Sequence, residues 1–324
     1  MKARDGREKV RFTSGGEECV AWRYPGSNGA CVVMAGGFAV PKEPATDLFA
    51  RRFNEAGFEV LAFDYRGLGE SDGQPRLVQP VGDLLEDWEA AIDFARTLPG
   101  VEETKVAAWG FSASGGHVLA VAARRPDLGA AIAQTPLVDA PASAPKLARY
   151  STSIAQLRLL GRGVLDAIGG ALGRPPLLVP LVGEKGSVAM LSTPDALEGN
   201  VALNGGDHPQ WEQKVAARSV LRLSAYRPGR RAAGIRCPVL FVVCDDDRSA
   251  PSDLTERVAS GVPGGEVVRL RGRHYAPFME SHEDAVDAQV SFLRAHLVEC
   301  SREPATPRSG PRDEAGRRSP GRRR

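Results

Sequence analysis

The stretch Lys105–His117 reads KVAAWGFSASGGH. An apolar run, Val106 to Trp109, stops at a cluster of glycines and serines, and a helix-like run, His117 to Ala123, follows. A strand that turns sharply into a helix with a serine at the turn is the pattern of a nucleophile elbow. Its small residues have a physical job. The turn holds its serine in a strained backbone conformation, so Gly110 and Ala113 must leave room, and Gly115-Gly116 let the helix pack closely. Two frames compete. Ser112 has Gly110 two residues before it but Ser114 two after; Ser114 has Gly116 two after it but Ser112 two before. Ser112 stands three residues past the strand end, where the elbow belongs, and is the better nucleophile. The plain alternative is a Gly/Ser-rich strand-to-helix turn with no chemistry, so the rest of the chain must decide.

Outward from this stretch, apolar runs and turn clusters alternate. Residues 9–24 read as a β-hairpin around Ser14-Gly15-Gly16. Ala30–Met34, Phe58–Phe63, Ala130–Gln134, Pro238–Cys244 and Glu266–Leu270 read as strands, the short β-branched ones as buried strands. Helical spacing marks Thr46–Ala56, Asp83–Leu98, Ser252–Ala259 and Glu283–Leu297. Strands alternating with helices in this way predict an α/β fold: a mostly parallel sheet with helices on both faces.

The rhythm breaks between Asp139 and about Cys237. Leu147–Leu172 is apolar and helix-like up to Pro175-Pro176, a Pro/Gly-rich stretch runs to Pro209, and a helix is expected around Trp211–Tyr226. Some hundred residues between two sheet strands exceed an ordinary crossover. The expected organisation is a core in two parts, 1–140 and 233–300, with a helical cap at 141–232 inserted before the penultimate strand. Residues 301–324, rich in Arg and Pro without apolar periodicity, read as a disordered tail.

Composition narrows the function classes. Of 324 residues, 42% are hydrophobic and 25% charged, which fits a globular protein with a large core. The net charge of +2 hides an asymmetry: residues 301–324 carry eight Arg against three acidic residues, leaving the body at −3. The folded part therefore has no basic surplus that would suggest nucleic acid. No apolar run approaches a membrane span, and MKARDGREKV lacks the apolar centre of a signal peptide. The five cysteines show no C-x-x-C pairing and read as reduced, mostly buried thiols of a cytoplasmic protein. Neither metal-ligand spacing nor a dinucleotide-type glycine loop appears, so no cofactor is implied. Oligomeric state is not legible.

Three residues stand in loops after three different strands: Ser112, Asp247 and His274. A serine hydroxyl is unreactive near neutral pH, so a histidine must accept its proton and a carboxylate must orient the imidazole. His274 follows the last strand, whereas His117 lies inside the elbow helix, His208 in the cap region, and His282 and His296 on or beside the terminal helix. Asp245, Asp246 and Asp139 are rival acids.

The chain resembles the α/β-hydrolase superfamily over about residues 10–297. A strand ending in Gly36-Gly37-Phe38, FDYRGLGESDG at 63–73, GFSASGG at 110–116, PVLFVVCDDD at 238–247 and GRHYAPF at 272–278 occur in order. It is most similar to bacterial esterase-like and acetylxylan-esterase-like hydrolases, and it also resembles the hydrolase-related polyketide transferases and the X-Pro dipeptidyl-peptidase-like group. The resemblance selects Asp247 as the acid, since Cys244-Asp245-Asp246-Asp247 with Pro251 beyond fits the family's G-x-x-D loop, Cys replacing Gly. It implies an oxyanion hole built from the N–H groups of Phe38 and Ala113.

The function so implied is a serine hydrolase acting on a small-molecule acyl substrate, an ester or thioester, through an acyl-enzyme. Two rivals stand beside it: an acyltransferase using the same intermediate, and a non-catalytic ligand-binding protein of the same fold.

Overall fold

The computed structural model describes residues 6–204, 208 and 211–299, so the expected tail at 301–324 and Cys300 lie outside the described residues. The hairpin forms β1 (Glu8–Ser14) and β2 (Glu17–Tyr24). The core continues through β3 (Cys31–Ala35), α1 (Lys42–Glu55), β4 (Glu59–Phe63), α2 (Val81–Arg96), β5 (Val106–Phe111), α3 (Ala113–Ala122) and β6 (Ala130–Gln134).

Beyond β6 the inserted segment holds α4 (Ala140–Leu147), α5 (Ser153–Ala171), β7 (Leu178–Pro180), α6 (Pro194–Asn204), β8 (Lys214–Ala216) and α7 (Ser219–Leu223). The core resumes with β9 (Val239–Cys244), α8 (Ser252–Ala259), β10 (Gly265–Leu270) and α9 (His282–Leu293).

Eight strands make one sheet in the order β1-β2-β4-β3-β5-β6-β9-β10. Only the β1–β2 and β2–β4 pairs are antiparallel. The fold is the α/β architecture expected, with a segment inserted ahead of the penultimate strand. Burial on both faces explains the unbroken apolar runs. In β3, Cys31, Val33 and Ala35 point into a core shared with Leu84, Trp88 and Ile92 of α2 and with Val118 and Val121 of α3. Val32 and Met34 point the other way, toward Phe49 and Phe53 of α1 and Val286 and Leu293 of α9.

The inserted segment departs from expectation in two places. The apolar stretch Leu147–Leu172 is not one helix: a 3-10 turn at Ala148–Tyr150 breaks it, and Thr152 restarts it by accepting from the Ala155 N–H at 3.2 Å. Nor is 211–226 a single helix. Lys214–Ala216 pairs with Leu178–Pro180, and only Ser219–Leu223 is helical. Val215 and Ala217, buried beside Val179 and Leu181, anchor this stretch to the core through side chains that a strand accommodates as well as a helix.

Candidate active site

The parallel strands all end on one edge of the sheet, and the loops that leave them meet there. β5 ends at Phe111, and Ser112 turns the chain into α3 with φ 57° and ψ −116°. A non-glycine residue at positive φ is strained, and the surroundings must hold it. The Ser112 N–H donates to the Gln134 carbonyl at 2.9 Å, and the Ser112 carbonyl accepts from Leu137 N–H at 2.9 Å and Gly116 N–H at 3.2 Å. A Cβ on Gly110 would collide with the Ser114 carbonyl oxygen, which is why the position admits only glycine.

The loop after β10 brings His274 to the serine: Ser112 Oγ lies 3.0 Å from Nε2. The loop after β9 brings Asp247, whose Oδ2 accepts from Nδ1 at 2.8 Å. Because the carboxylate can only accept there, Nδ1 carries the proton and Nε2 is left bare, facing the serine hydroxyl. Asp247 is itself clamped, its Oδ1 accepting from the N–H groups of Ser249 (2.9 Å) and Ala250 (2.6 Å). Burial of His274 disfavours the imidazolium, but the charge and hydrogen bond of Asp247, with Asp195 adding to them, outweigh it. The His274 pKa is raised above its ordinary 6.5.

The rival residues are occupied elsewhere. Ser114 is buried, its Oγ 2.5 Å from the Tyr65 hydroxyl and bonded to the Gly36 carbonyl. His117 faces the Tyr226 hydroxyl at 2.9 Å and is kept neutral by burial, which lowers its pKa to about 3. Asp139 caps α4 through the Ala142 N–H, Asp245 pairs with Arg269, and Asp246 pairs with Arg248. Burial pushes the thiols of Cys19 and Cys237 up to about 12 and about 11, so neither is a rival nucleophile.

Phe38 and Ala113 line the same cavity as Ser112. Ala113 opens α3, so its N–H has no intrahelical acceptor. Phe38 sits in a turn that Val40 N–H closes on the Gly37 carbonyl at 3.1 Å, next to Ala39 at φ 54°. The cavity holds about 360 Å³, and among the described residues its lining includes no Asp, Glu, Lys or Arg. Most of its walls come from the inserted segment, among them Leu147, Leu159, Leu181, Met190 and Leu223.

Two contacts from that segment were not foreseen. Asp195 is buried, accepts from the His274 backbone N–H at 3.3 Å and takes the Ser249 hydroxyl at 3.2 Å. Trp211 Nε1–H donates to the Ala39 carbonyl at 2.9 Å, beside Phe38. Thr193-Pro194-Asp195, with proline at the first helical position and an acid in the first turn, is a helix-start signal hidden in a stretch read as Pro/Gly-rich.

Comparison with known proteins agrees with this architecture. The model of the serine aminopeptidase (S33) family matches residues 26–270. The quorum-quenching protein AidA of Acinetobacter baumannii is 40% identical over 291 residues, 88% of this chain and 93% of that protein. The polyketide transferase af380 of Aspergillus fumigatus is 29% identical over 302 residues, 90% and 99% of the two chains. Among solved structures, the α/β hydrolase GrgF from Penicillium sp. superposes with a TM-score of 0.78 at 26% identity, covering 90% of this chain and 99% of that one. The chain therefore belongs to the serine aminopeptidase (S33) family of α/β hydrolases.

Proposed function

We propose that this protein is a serine hydrolase of uncharged acyl esters or thioesters. Ser112 attacks the acyl carbonyl as His274 Nε2 takes its proton, and Asp247 holds the imidazole and balances the charge it gains. The Phe38 and Ala113 N–H groups receive the oxyanion, each such donor contributing about 3–4 kcal/mol in the transition state. His274 then returns its proton to the departing alcohol or thiol, and a water it activates releases the acyl group from Ser112.

The observation that carries this reading is the run of contacts Ser112 Oγ–His274 Nε2–Asp247 (3.0 and 2.8 Å) opening into a cavity whose wall, among the described residues, has no charged side chain. Such a cavity favours an apolar acyl chain and offers no carboxylate to a peptide's free amine. We assign the selectivity to residues 141–232 acting as a cap. The free, buried thiols fit a reducing, cytoplasmic setting.

A second reading, transfer of the same acyl group to an alcohol or amine, is favoured by the relatives named polyketide transferases. Product analysis with a competing nucleophile separates the two. The mechanism itself is tested by fluorophosphonate labelling with peptide mapping. The label is expected on Ser112 and lost in Ser112→Ala and His274→Ala. A well-folded protein that takes no label, or takes it on Ser114, would overturn the assignment.

A further inference from the structure

Among the described residues, one helix face of the inserted segment is left uncovered. Ile154, Leu157, Val164, Leu165, Ile168 and Leu172, on and just past α5, are 48–71% exposed. At 3.6 residues per turn they fall on a single side, a stripe about 27 Å long. The opposite side is pinned. Asp166 accepts from Leu177 N–H (2.7 Å) and from Arg218 N–H (2.8 Å), Nε and Nη2 (both 2.9 Å), so the helix cannot roll its stripe inward without breaking these bonds. Scattered exposed leucines are ordinary, but a continuous stripe of this kind marks a docking surface.

The exposed charges on α5 and its immediate flanks have one sign. Arg158 and Arg162 flank it along one edge, Arg149 and Arg174 lie beyond its two ends, and all four are exposed. None of the four forms an ion pair among the described residues, and the helix's only acid, Asp166, is turned inward. The other edge meets the cavity of Ser112, which Gln156, Leu159 and Leu160 help to line. A second copy of the chain, paired antiparallel through a two-fold axis across the helix, would set these arginines against their own counterparts. A protein partner would need hydrogen bonds at about one per 100–200 Å², and no side chain within the stripe supplies one.

We propose that α5 docks the protein on an anionic lipid surface, its stripe at the acyl boundary and its arginines on the headgroups. The cavity mouth then opens at the membrane, so an apolar acyl substrate reaches Ser112 without crossing bulk water. That last step rests on the hydrolase reading above; docking itself does not.

The test is co-sedimentation of the full chain with vesicles of phosphatidylcholine alone or mixed with phosphatidylglycerol, with particle mass measured in parallel. Binding is expected to the mixed vesicles and not to phosphatidylcholine. Arg158→Gln/Arg162→Gln should weaken it roughly thirtyfold, and Leu157→Ser/Leu165→Ser should abolish it, with circular dichroism and thermal midpoint showing both variants folded. Three results would overturn the proposal. Absence of vesicle binding is one. Binding untouched by either pair of substitutions would place the contact on the arginine-rich chain end instead. A dimer that becomes monomer in Leu157→Ser/Leu165→Ser, without vesicle binding, would show that a second copy covers the face. Hydrolysis is not read in any arm, so failure here is separate from failure of the enzymatic reading.

Discussion

Replacing Ser114 with alanine should cost stability, not chemistry. The donors in this region run in one direction. Trp88 Nε1–H donates to the Tyr65 hydroxyl at 2.8 Å, Tyr65 donates to Ser114 Oγ at 2.5 Å, and Ser114 donates to the Gly36 carbonyl. Tyr65 and Ser114 are both almost fully buried, so water does not reach the gap that the missing hydroxyl leaves. Ser114→Ala strips the Tyr65 hydroxyl of its acceptor and the Gly36 carbonyl of its donor. A buried polar group that loses its partner costs about 1–3 kcal/mol, and two such groups with partial relaxation give about 2–4 kcal/mol. For a domain of this size that lowers the thermal midpoint by about 3–7 °C. Tyr65→Phe/Ser114→Ala should cost less than the sum of the two single changes, because the stranded tyrosine hydroxyl is gone. The assay is denaturant unfolding of the four proteins, with fluorophosphonate labelling of Ser112 at a temperature where all are folded. A loss under about 0.5 kcal/mol, or strict additivity in the cycle, would refute the chain of donors.

The remaining expectations concern charge. On the proposed mechanism His274 must be neutral to accept a proton, and its pKa is raised, so kcat/KM should fall with decreasing pH through an inflection above 6.5; Asp195→Asn should move that inflection downward, and an unmoved profile would deny Asp195 its influence. Lys42 is fully buried with Nζ 2.7 Å from Asp64 and 2.8 Å from Glu70; burial favours its neutral form, but Asp64, Glu43 and Glu70 outweigh it and raise its pKa. Lys42→Met leaves the Asp64 carboxylate buried without its cation and should cost about 3–5 kcal/mol by denaturant unfolding; a cost below about 1 kcal/mol would contradict this. His117 is held neutral down to about pH 3, so the unfolded chain binds its proton first, and stability should drain away as pH falls from 6.5 toward 3. His117→Gln should flatten that slope, and an unchanged slope in acid denaturation would refute it.

The sheet was legible because strands buried on both faces leave a residue-level imprint. Ala130–Gln134 is read from sequence with the bounds it has in the structure, and Glu266–Leu270 within one residue. The elbow was legible because its backbone demands glycine at 110 and small residues after Ser112. Asp247, by contrast, needed the family likeness, since three consecutive aspartates differ only in which way each side chain leaves the loop. Asp195 and Trp211 were hidden for another reason. Their roles are set by the folded path of the inserted segment, where short elements and prolines leave no lasting periodicity. The Ser114 hydroxyl reads as a motif defect until its partners, 49 and 78 positions away, are known.

The contacts of Asp195 and Trp211 also bear on engineering. Because the inserted segment supplies most of the cavity wall, exchanging it for that of a relative looks like a direct route to a new substrate range. Yet Asp195 steadies the backbone of His274 and Trp211 steadies that of Ala39, so a donor segment lacking either would loosen His274 or the turn that carries Phe38. On the proposed mechanism, a chimera would change what enters the cavity and slow the reaction at Ser112. Donor segments should therefore be chosen first for an acid and an indole N–H at these two positions, and only then for the shape of the wall.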